Sequence, residues 1–293
     1  MKRYWKEIML GILIIVLLCI VSLHFYHNIQ DEKFASQTNL YSLIIKDPKV
    51  VLSINRPQSF SRMLLSQPSI QEQFTSCLSD VYLTIAKRVN NPVLLSFHKE
   101  GVILYMKGSH LSIQSLEKEL LSSHFNAYPP LYEKKEKTVY NYYPTIDHNF
   151  YASFYYKGIW VFGNNQKLLD RVVNQLTGEA TVVSSDMEKA IALFDLNAPV
   201  NIAFPSNVFD IAIALNDSTN WHLDDDWLTA DLFIGEGSVC SYSNFPFTAT
   251  TDSLIFTTVK ESLYQQIDSI FPQLSLSPQI SLENESVAIT ICH

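Results

Sequence analysis

The chain has 293 residues, of which 47% are hydrophobic and 17% are charged, and its formal net charge is -8. This hydrophobic content excludes wholesale disorder, and the presence of one long apolar run excludes a polytopic membrane protein. The acidic charge repels phosphate, and no cluster of Lys and Arg is interleaved with aromatic residues, so no nucleic acid is expected as a partner.

The apolar run lies near the N-terminus and extends from Ile8 to Leu23, and through Phe25 to Tyr26 if His24 sits at an interface. At 1.5 Å per residue it spans roughly 24 to 29 Å, close to the hydrocarbon thickness of a bilayer. We therefore expect a transmembrane helix over residues 8–26, with the lipid bilayer as its partner.

The charges that flank this run predict its direction. Lys2, Arg3 and Lys6 precede it, whereas Asp31 and Glu32 follow it. The positive-inside rule then predicts a membrane protein with a cytoplasmic tail over residues 1–7 and an extracytoplasmic ectodomain. The alternative is a cleaved secretory signal, which is disfavoured because bulky residues occupy the positions where a signal peptidase requires small ones.

Three cysteines lie outside the apolar run: Cys77, Cys240 and Cys292. None forms a C-x-x-C motif or has the spacing of a zinc site. We expect them to be small buried hydrophobic residues. The sequence leaves open whether two of them form a disulfide, and which two.

A polar segment over residues 27–47 predicts a stalk, after which a first α+β unit is expected over residues 48–197. Val50–Ile54 is rich in β-branched residues and predicts a buried strand that leads into a helix beginning near Pro57. Apolar residues at helical spacing over 70–85 then predict one helix. Two further apolar runs flank Lys99-Glu100-Gly101 and predict a β-hairpin, followed by a helix after Ser112.

Aromatic and β-branched runs between Val139 and Phe162 predict antiparallel strands, with a turn at Lys157-Gly158. Apolar residues recur at helical spacing after Asn165 and predict a helix. Gly178 stands where the C-cap of this helix is expected. Ser185-Asp186-Met187-Glu188 has the pattern of a capping box and predicts the start of another helix.

An internal echo links two parts of the chain. Residues 52–60 and 200–208 share an alternating apolar strand that runs into Pro at the same offset, and each segment is followed by a hairpin. This predicts a second, shorter α+β unit over residues 198–293 that is related to the first. The expected fold class is therefore α+β, with antiparallel sheets packed against helices.

Three stretches carry a resemblance to a known family: Pro48–Ile54, Phe154–Gly163 and Trp227–Leu232. They lie within residues 48–245, about two thirds of the chain. With these pieces the sequence resembles a bacterial family of membrane-anchored proteins of unknown function, whose ectodomains are built from strand-helix-hairpin units. The resemblance implies an anchored envelope protein and brings no catalytic residue.

The residues themselves predict no catalytic, cofactor-binding or metal site, and no cofactor. Asp224-Asp225-Asp226 is the one acidic cluster that could attract Ca²⁺, but it lacks the D-x-D-x-D-G loop with a distal Glu, so a solvated turn is expected. The histidines are scattered, and neither a nucleophile elbow nor a phosphate-binding loop is present.

We therefore expect an anchored ectodomain that binds or scaffolds components of the cell envelope, with an envelope protein or a glycan as its partner. The alternative is an extracytoplasmic hydrolase whose site is assembled from distant residues. A pocket that gathers a nucleophile, a base and an oxyanion donor would favour the enzyme. Exposed aromatic residues on the sheet would favour the binding module.

Overall fold

The computed structural model describes residues 2–66, 68–135, 138–147, 149–178, 185–205, 213–215, 219–221, 227–234, 239–246, 257, 260–261, 279–283 and 286–292. Its helices and strands alternate in groups, and every described strand pair is antiparallel. The expected α+β class is confirmed.

Seven α-helices and one short 3₁₀ helix, Leu40–Leu43, are present in the described residues. The α-helices are α1 (Lys2–Gln37), α2 (Pro57–Ser66), α3 (Pro68–Cys77), α4 (Asp80–Arg88), α5 (His110–Ser123), α6 (Gln166–Leu176) and α7 (Ser185–Ala192).

Fourteen strands are present in the same residues, and twelve of them form one sheet. They are β1 (Val50–Ile54), β2 (Val93–His98), β3 (Gly101–Lys107), β4 (Leu131–Lys135), β5 (Thr138–Pro144), β6 (Phe150–Tyr156), β7 (Ile159–Gly163), β8 (Val200–Pro205), β9 (Ile213–Leu215), β10 (Thr219–Trp221), β11 (Trp227–Ile234), β12 (Val239–Pro246), β13 (Gln279–Glu283) and β14 (Ser286–Cys292).

The strand order of the large sheet is β13-β14-β12-β11-β8-β1-β2-β3-β7-β6-β5-β4, and β9 pairs with β10 separately. The two strands of the internal echo, β1 and β8, are therefore neighbours at the centre of one sheet. Leu52 lies opposite Ile202, and Ile54 lies opposite Val200.

The sheet has an apolar core on each face because successive side chains of a strand point to opposite sides. On one face, Leu52 and Leu104 pack with residues of α2, α4 and α5, such as Ile85. On the other face, Val51 and Ile103 pack with residues of the 3₁₀ segment, α6 and α7. Both faces of the central strands are thus covered.

The structure corrects the prediction of one helix over residues 70–85. Helix α3 ends at Cys77 and α4 begins at Asp80, because Ser79 adopts an extended conformation (φ -62°, ψ 151°) in the N-cap position of α4. The apolar periodicity nevertheless continues through the break, since Leu78, Val81 and Ile85 are all buried. A continuous pattern of buried apolar residues therefore does not show whether the backbone forms one helix or two.

Candidate functional site

Helix α1 presents its apolar surface to the surroundings rather than to the protein. Residues 13–23 are all exposed, and an apolar window within Leu13–Gln37 has a mean hydropathy of 1.7 with none of its residues buried. An apolar helix this long and this uncovered is unusual for a protein surface. By length and composition it could cross a membrane, and a signal sequence or core helix can share these features.

The same helix continues without a break into the folded body, where it docks on the turn between β6 and β7. Asp31 is half-buried and Ala35 is buried, whereas residues 25–30 are exposed. Gly158 in the turn has a φ of 80° and approaches α1 so closely that a Cβ atom there would lie 2.8 Å from both the Ala35 Cβ and the Asp31 carbonyl oxygen. Only glycine suits both the backbone conformation and this contact.

Aromatic rings surround the docking turn. The rings of Phe34 and Tyr156 meet edge to face at 5.8 Å between centroids. The Lys157 Nζ atom lies 5.3 Å from the centroid of each ring. The aromatic contact and the two cation–π contacts join the end of α1 to the sheet.

The segment after α1 runs across the second core. Ile44 and Ile45 are buried there. The Tyr41 hydroxyl donates a hydrogen bond of 3.0 Å to the Ser53 Oγ of β1, and the side chain of Gln175 in α6 donates one of 3.4 Å to the Ile44 carbonyl. Residues 34–45 therefore belong to the packed body in this structure.

Ser96 and His98 are two buried polar residues that lie side by side in the body. The Ser96 Oγ and the His98 Nε2 share a hydrogen bond of 2.9 Å, the arrangement of a nucleophile and its base. Ser96 is fully buried, however, and its other partner is the Tyr105 hydroxyl at 3.2 Å. Burial also lowers the pKa of His98. A substrate cannot reach this hydroxyl, so the pair is a core hydrogen bond.

Glu117 of α5 is the centre of a second polar cluster. Its Oε1 accepts hydrogen bonds from the Ser153 hydroxyl at 2.7 Å, the Tyr143 hydroxyl at 2.9 Å, the Trp160 Nε1 at 3.0 Å and the Asn141 amide at 3.2 Å. Burial and the Glu117 charge raise the pKa of Tyr143. Since the donors come from β5, β6 and β7, this carboxylate fastens α5 to three strands.

A third polar cluster crosses the centre of the sheet. Asn201 of β8 is fully buried, and its amide donates to the Asp231 Oδ1 of β11 at 2.6 Å and to the Asp195 carbonyl at 2.9 Å. Its Oδ1 accepts from the Asn55 amide. Burial raises the pKa of Asp231 despite these donors. The partners of Asn201 satisfy its hydrogen-bonding groups, which makes this a structural network.

The sheet ends at β4, an edge strand that sequence patterns missed. Leu131 is 60% exposed and Tyr132 is 68% exposed, and Tyr128 just before the strand is 46% exposed. The strand reads Leu-Tyr-Glu-Lys-Lys, without the apolar alternation that marks a half-buried strand. It pairs with β5 on one side and is the last strand of the described sheet. An exposed strand edge is a surface that other chains can pair with.

The cysteines depart from the expectation that all are small core residues. Cys240 of β12 is disulfide-bonded, and the residue directly opposite it on β14 is Cys292. Neighbouring strands bring opposed Cα atoms to about 4.5–5.5 Å, within the range that a disulfide needs. The register between β12 and β14 is what brings Cys292 opposite Cys240. The amino-acid sequence alone does not reveal that register.

The acidic cluster at residues 224–226 lies outside the described residues, so its prediction as a solvated turn remains open. Within the part of the chain that the structure describes, no group of three or more His, Cys, Asp or Glu side chains is arranged to hold a metal ion.

Comparison with known proteins gives a likeness of fold. No protein-family model and no curated protein match the chain. The structure is similar to that of TP0453 in crystal form III, with a TM-score of 0.50 and 11% sequence identity over 86% of this chain and 92% of that chain. The corresponding values for crystal form I of TP0453 are 0.49 and 8%, over 87% and 93%. At this identity the likeness concerns the fold alone.

Proposed function

We propose that this protein is a single-pass, membrane-anchored binding or scaffolding module of the bacterial cell envelope, with its N-terminus in the cytoplasm. The observation that carries the proposal is the uncovered apolar part of α1, joined by continuous helix to a folded body. An apolar surface of this size is unfavourable in water and favourable in lipid.

The disulfide at Cys240 supports an extracytoplasmic body. Disulfides persist in oxidising compartments and are rare in the cytosol, where thiols are kept reduced. The basic residues before the apolar run favour the same orientation, because positively charged flanks are retained in the cytoplasm.

The edge strand β4 is the surface we propose for binding, and its partner is an extended segment of another envelope protein. An edge strand offers unpaired backbone groups that a second strand can satisfy, while exposed Leu131 and Tyr132 offer side-chain contacts. Glu133 and Lys134 at the other end of β4 are also exposed, and such charges discourage indiscriminate strand pairing.

A hydrolase gains no support from the described residues. The Ser96 and His98 pair is the arrangement closest to a nucleophile and base, and its hydroxyl is inaccessible. Glu117 and Asp231 are occupied by hydrogen bonds within the fold.

Two measurements test the anchoring and its direction. A reporter fused after His293 is expected to be active only outside the cytoplasm, and the mature protein is expected to retain residues 1–26. Activity of the fusion in the cytoplasm would contradict the orientation. A mature N-terminus between Ser22 and Lys33 would show instead that the segment is a cleaved signal.

Photo-crosslinking in cells tests the binding surface. A crosslinking residue at Tyr132 is expected to give one discrete protein adduct, identified by mass spectrometry as an envelope protein. The matched control is Ile146, which is 75% exposed but lies in the β5–β6 turn. A heterogeneous ladder of glycan adducts at Tyr132, equal adducts at both sites, or no adduct at Tyr132 would contradict an envelope protein at β4.

We also propose that the two halves of the sheet are related units. The echo aligns Ser53 with Asn201, and these two residues are also strand partners at the centre of the sheet. Outward from that centre, the β2–β3 hairpin corresponds in position to β11–β12, and β6–β7 to β13–β14. An experimental structure tests this by superposition: β1-β2-β3 should overlay β8-β11-β12 through a local twofold axis near Ser53 and Asn201.

A further inference from the structure

We infer that the β6–β7 turn lies in the lipid headgroup layer, with Lys157 within reach of lipid phosphate. The inference rests on the proposed anchoring of α1. It goes further by specifying which end of the body faces the bilayer and which chemical group that end contacts.

The length of α1 between the apolar run and the body sets the height of the body above the hydrocarbon core. Tyr26 is exposed and marks the end of the apolar run, and the Gly158 turn contacts α1 at Asp31, five residues later. At 1.5 Å per residue, Asp31 lies about 7.5 Å further along the helix axis than Tyr26. Tilting of the helix only reduces the corresponding height above the hydrocarbon boundary.

The height of the docking turn is comparable to the thickness of the headgroup layer. A bilayer of about 40–45 Å contains a hydrocarbon core of about 30 Å, which leaves roughly 5–7.5 Å for headgroups on each side. Gly158 touches the Asp31 carbonyl and the Ala35 side chain, and α1 is helical throughout this stretch. The docking turn is therefore held at the outer part of the headgroups, and no flexible stalk lifts it away.

The side chains of the turn suit this position. Lys157 is exposed, and its Nζ lies over the rings of Phe34 and Tyr156, an aromatic and cationic combination that favours a membrane interface. Burial and the nearby charges of Asp31 and Glu32 raise the pKa of Tyr155, which points to the opposite face of β6 from Tyr156. Lys157 has no ion-pair partner among the described salt bridges, so its charge remains available to phosphate.

A second cation lies at the same end of the sheet. Lys134 near the end of β4 is exposed. Lys107 ends β3 beside the turn, since the Gly108 amide donates to the Gly158 carbonyl at 3.0 Å, but it is partly buried and burial lowers its pKa. Lys157 stands next to Gly158 in the turn that docks on α1, so its position makes it the first candidate for phosphate contact.

Fluorescence quenching in vesicles tests the placement. An environment-sensitive dye is attached at K157C in the full-length protein, with Cys19 and Cys77 replaced by Ala, and at K99C as the matched control. Lys99 is exposed in the β2–β3 turn, at the opposite end of β3 from Gly108. A lipid with a quencher near its headgroup should quench the dye at position 157 strongly and the dye at position 99 weakly.

The outcomes separate the inference from the proposed anchoring. If the protein floats with the vesicles but position 157 is not quenched, the inference is wrong and the anchoring stands. If both positions are quenched equally, the body lies on the bilayer in another orientation and the inference is again wrong. If the protein fails to float with vesicles at all, the anchoring itself is wrong.

Amine modification of the unaltered protein tests the contact with phosphate. The ratio of modification at Lys157 to that at Lys99 is measured in vesicles of phosphatidylglycerol and in vesicles of digalactosyl diacylglycerol, which lacks phosphate. We expect the ratio to be several-fold lower in phosphatidylglycerol, because a phosphate-bound ammonium is protected. An equal ratio in the two lipids would contradict the phosphate contact.

Discussion

Gly158 packs against Ala35, and this contact joins the turn of the β6–β7 hairpin to the end of the apolar helix. The two residues are far apart in the sequence, and neither has a side chain larger than a methyl group. Their small size is what allows the helix to approach the turn so closely. The contact therefore couples the position of the body to that of the helix.

The first prediction follows from this close approach. Gly158→Ala should destabilise the full-length protein, because a left-handed conformation costs a non-glycine residue about 1–2 kcal/mol and the new methyl group also clashes with α1. Chemical denaturation in detergent measures the loss. Increased protease cleavage within residues 27–37 would show that α1 has undocked.

Gly178→Ala is the matched control for this substitution. Gly178 has the same φ of 80°, but no atom of the described residues lies within 4 Å of the position of its Cβ. It therefore suffers the conformational cost without the clash. Equal losses of stability in the two variants, with no change in protease cleavage, would contradict the importance of the contact.

The second prediction concerns Glu117. Glu117→Ala removes an acceptor shared by four donors and leaves the buried Trp160 Nε1 and Ser153 hydroxyl without this partner, so it should cost about 3 kcal/mol or more. Glu117→Gln retains an oxygen acceptor and should cost less. Urea denaturation monitored by tryptophan fluorescence measures both changes.

The neighbouring Glu119→Gln variant provides the control. Glu119 forms an ion pair of 2.8 Å with Arg88, and the side chains of Glu119 and Arg88 are 39% and 63% exposed. Exposed pairs of this kind contribute at most about 1 kcal/mol. A loss in Glu117→Ala no larger than that in Glu119→Gln would contradict the role of Glu117 in fastening α5 to the sheet.

Local patterns predicted much of the fold because they report burial along single elements. Val50–Ile54 is a strand with the predicted bounds, and the hairpin around Lys99-Glu100 and the helix after Asn165 are also present. The charged edge strand β4 was missed because its side chains are exposed and leave no apolar pattern. The break at Ser79 was missed because the buried residues Leu78, Val81 and Ile85 continue the apolar pattern across it.

Local sequence patterns did not predict the contacts between distant parts of the chain. The pairing of β1 with β8 joins segments separated by about half of the chain, and periodicity within one element does not encode its neighbour. The docking of α1 on Gly158 likewise depends on where the sheet places that turn. The candidate site was thus predicted as an apolar helix, whereas its attachment to the body emerged only from the fold.

The third prediction concerns the disulfide. If Cys240 pairs with Cys292, peptide mapping without reduction should recover the two cysteines in one linked fragment. Cys292→Ser should release a free thiol at Cys240, whereas Cys77→Ser should leave the link intact. A linked fragment that contains Cys77 would contradict this assignment.

Loss of this link should also lower stability. Closing a loop of about 50 residues stabilises the native state by roughly 4 kcal/mol in the chain-entropy model. The midpoint of denaturation of the oxidised protein should therefore fall on reduction. The Cys292→Ser variant should already have the lower midpoint and should not change further on reduction, and an additional fall would contradict the model.

The last prediction is a pH dependence from His98. Burial lowers the pKa of this histidine from its usual value of 6.5, while Arg171 acts in the same direction and the acids Glu100 and Asp47 oppose it. The unfolded chain therefore binds a proton more readily than the folded chain. The His98 contribution to stability is fully present above the unfolded pKa and is lost as pH falls from about 6.5 towards the folded pKa.

Denaturation at several pH values measures this contribution, with His98→Gln as the variant and His110→Gln as the matched control. Glutamine does not titrate, so His98→Gln should flatten the decline in stability below about pH 6.5. His110 is exposed and lies at the start of α5, so its replacement should leave the decline unchanged. A decline of the same steepness in His98→Gln and the unaltered protein would show that another group is responsible.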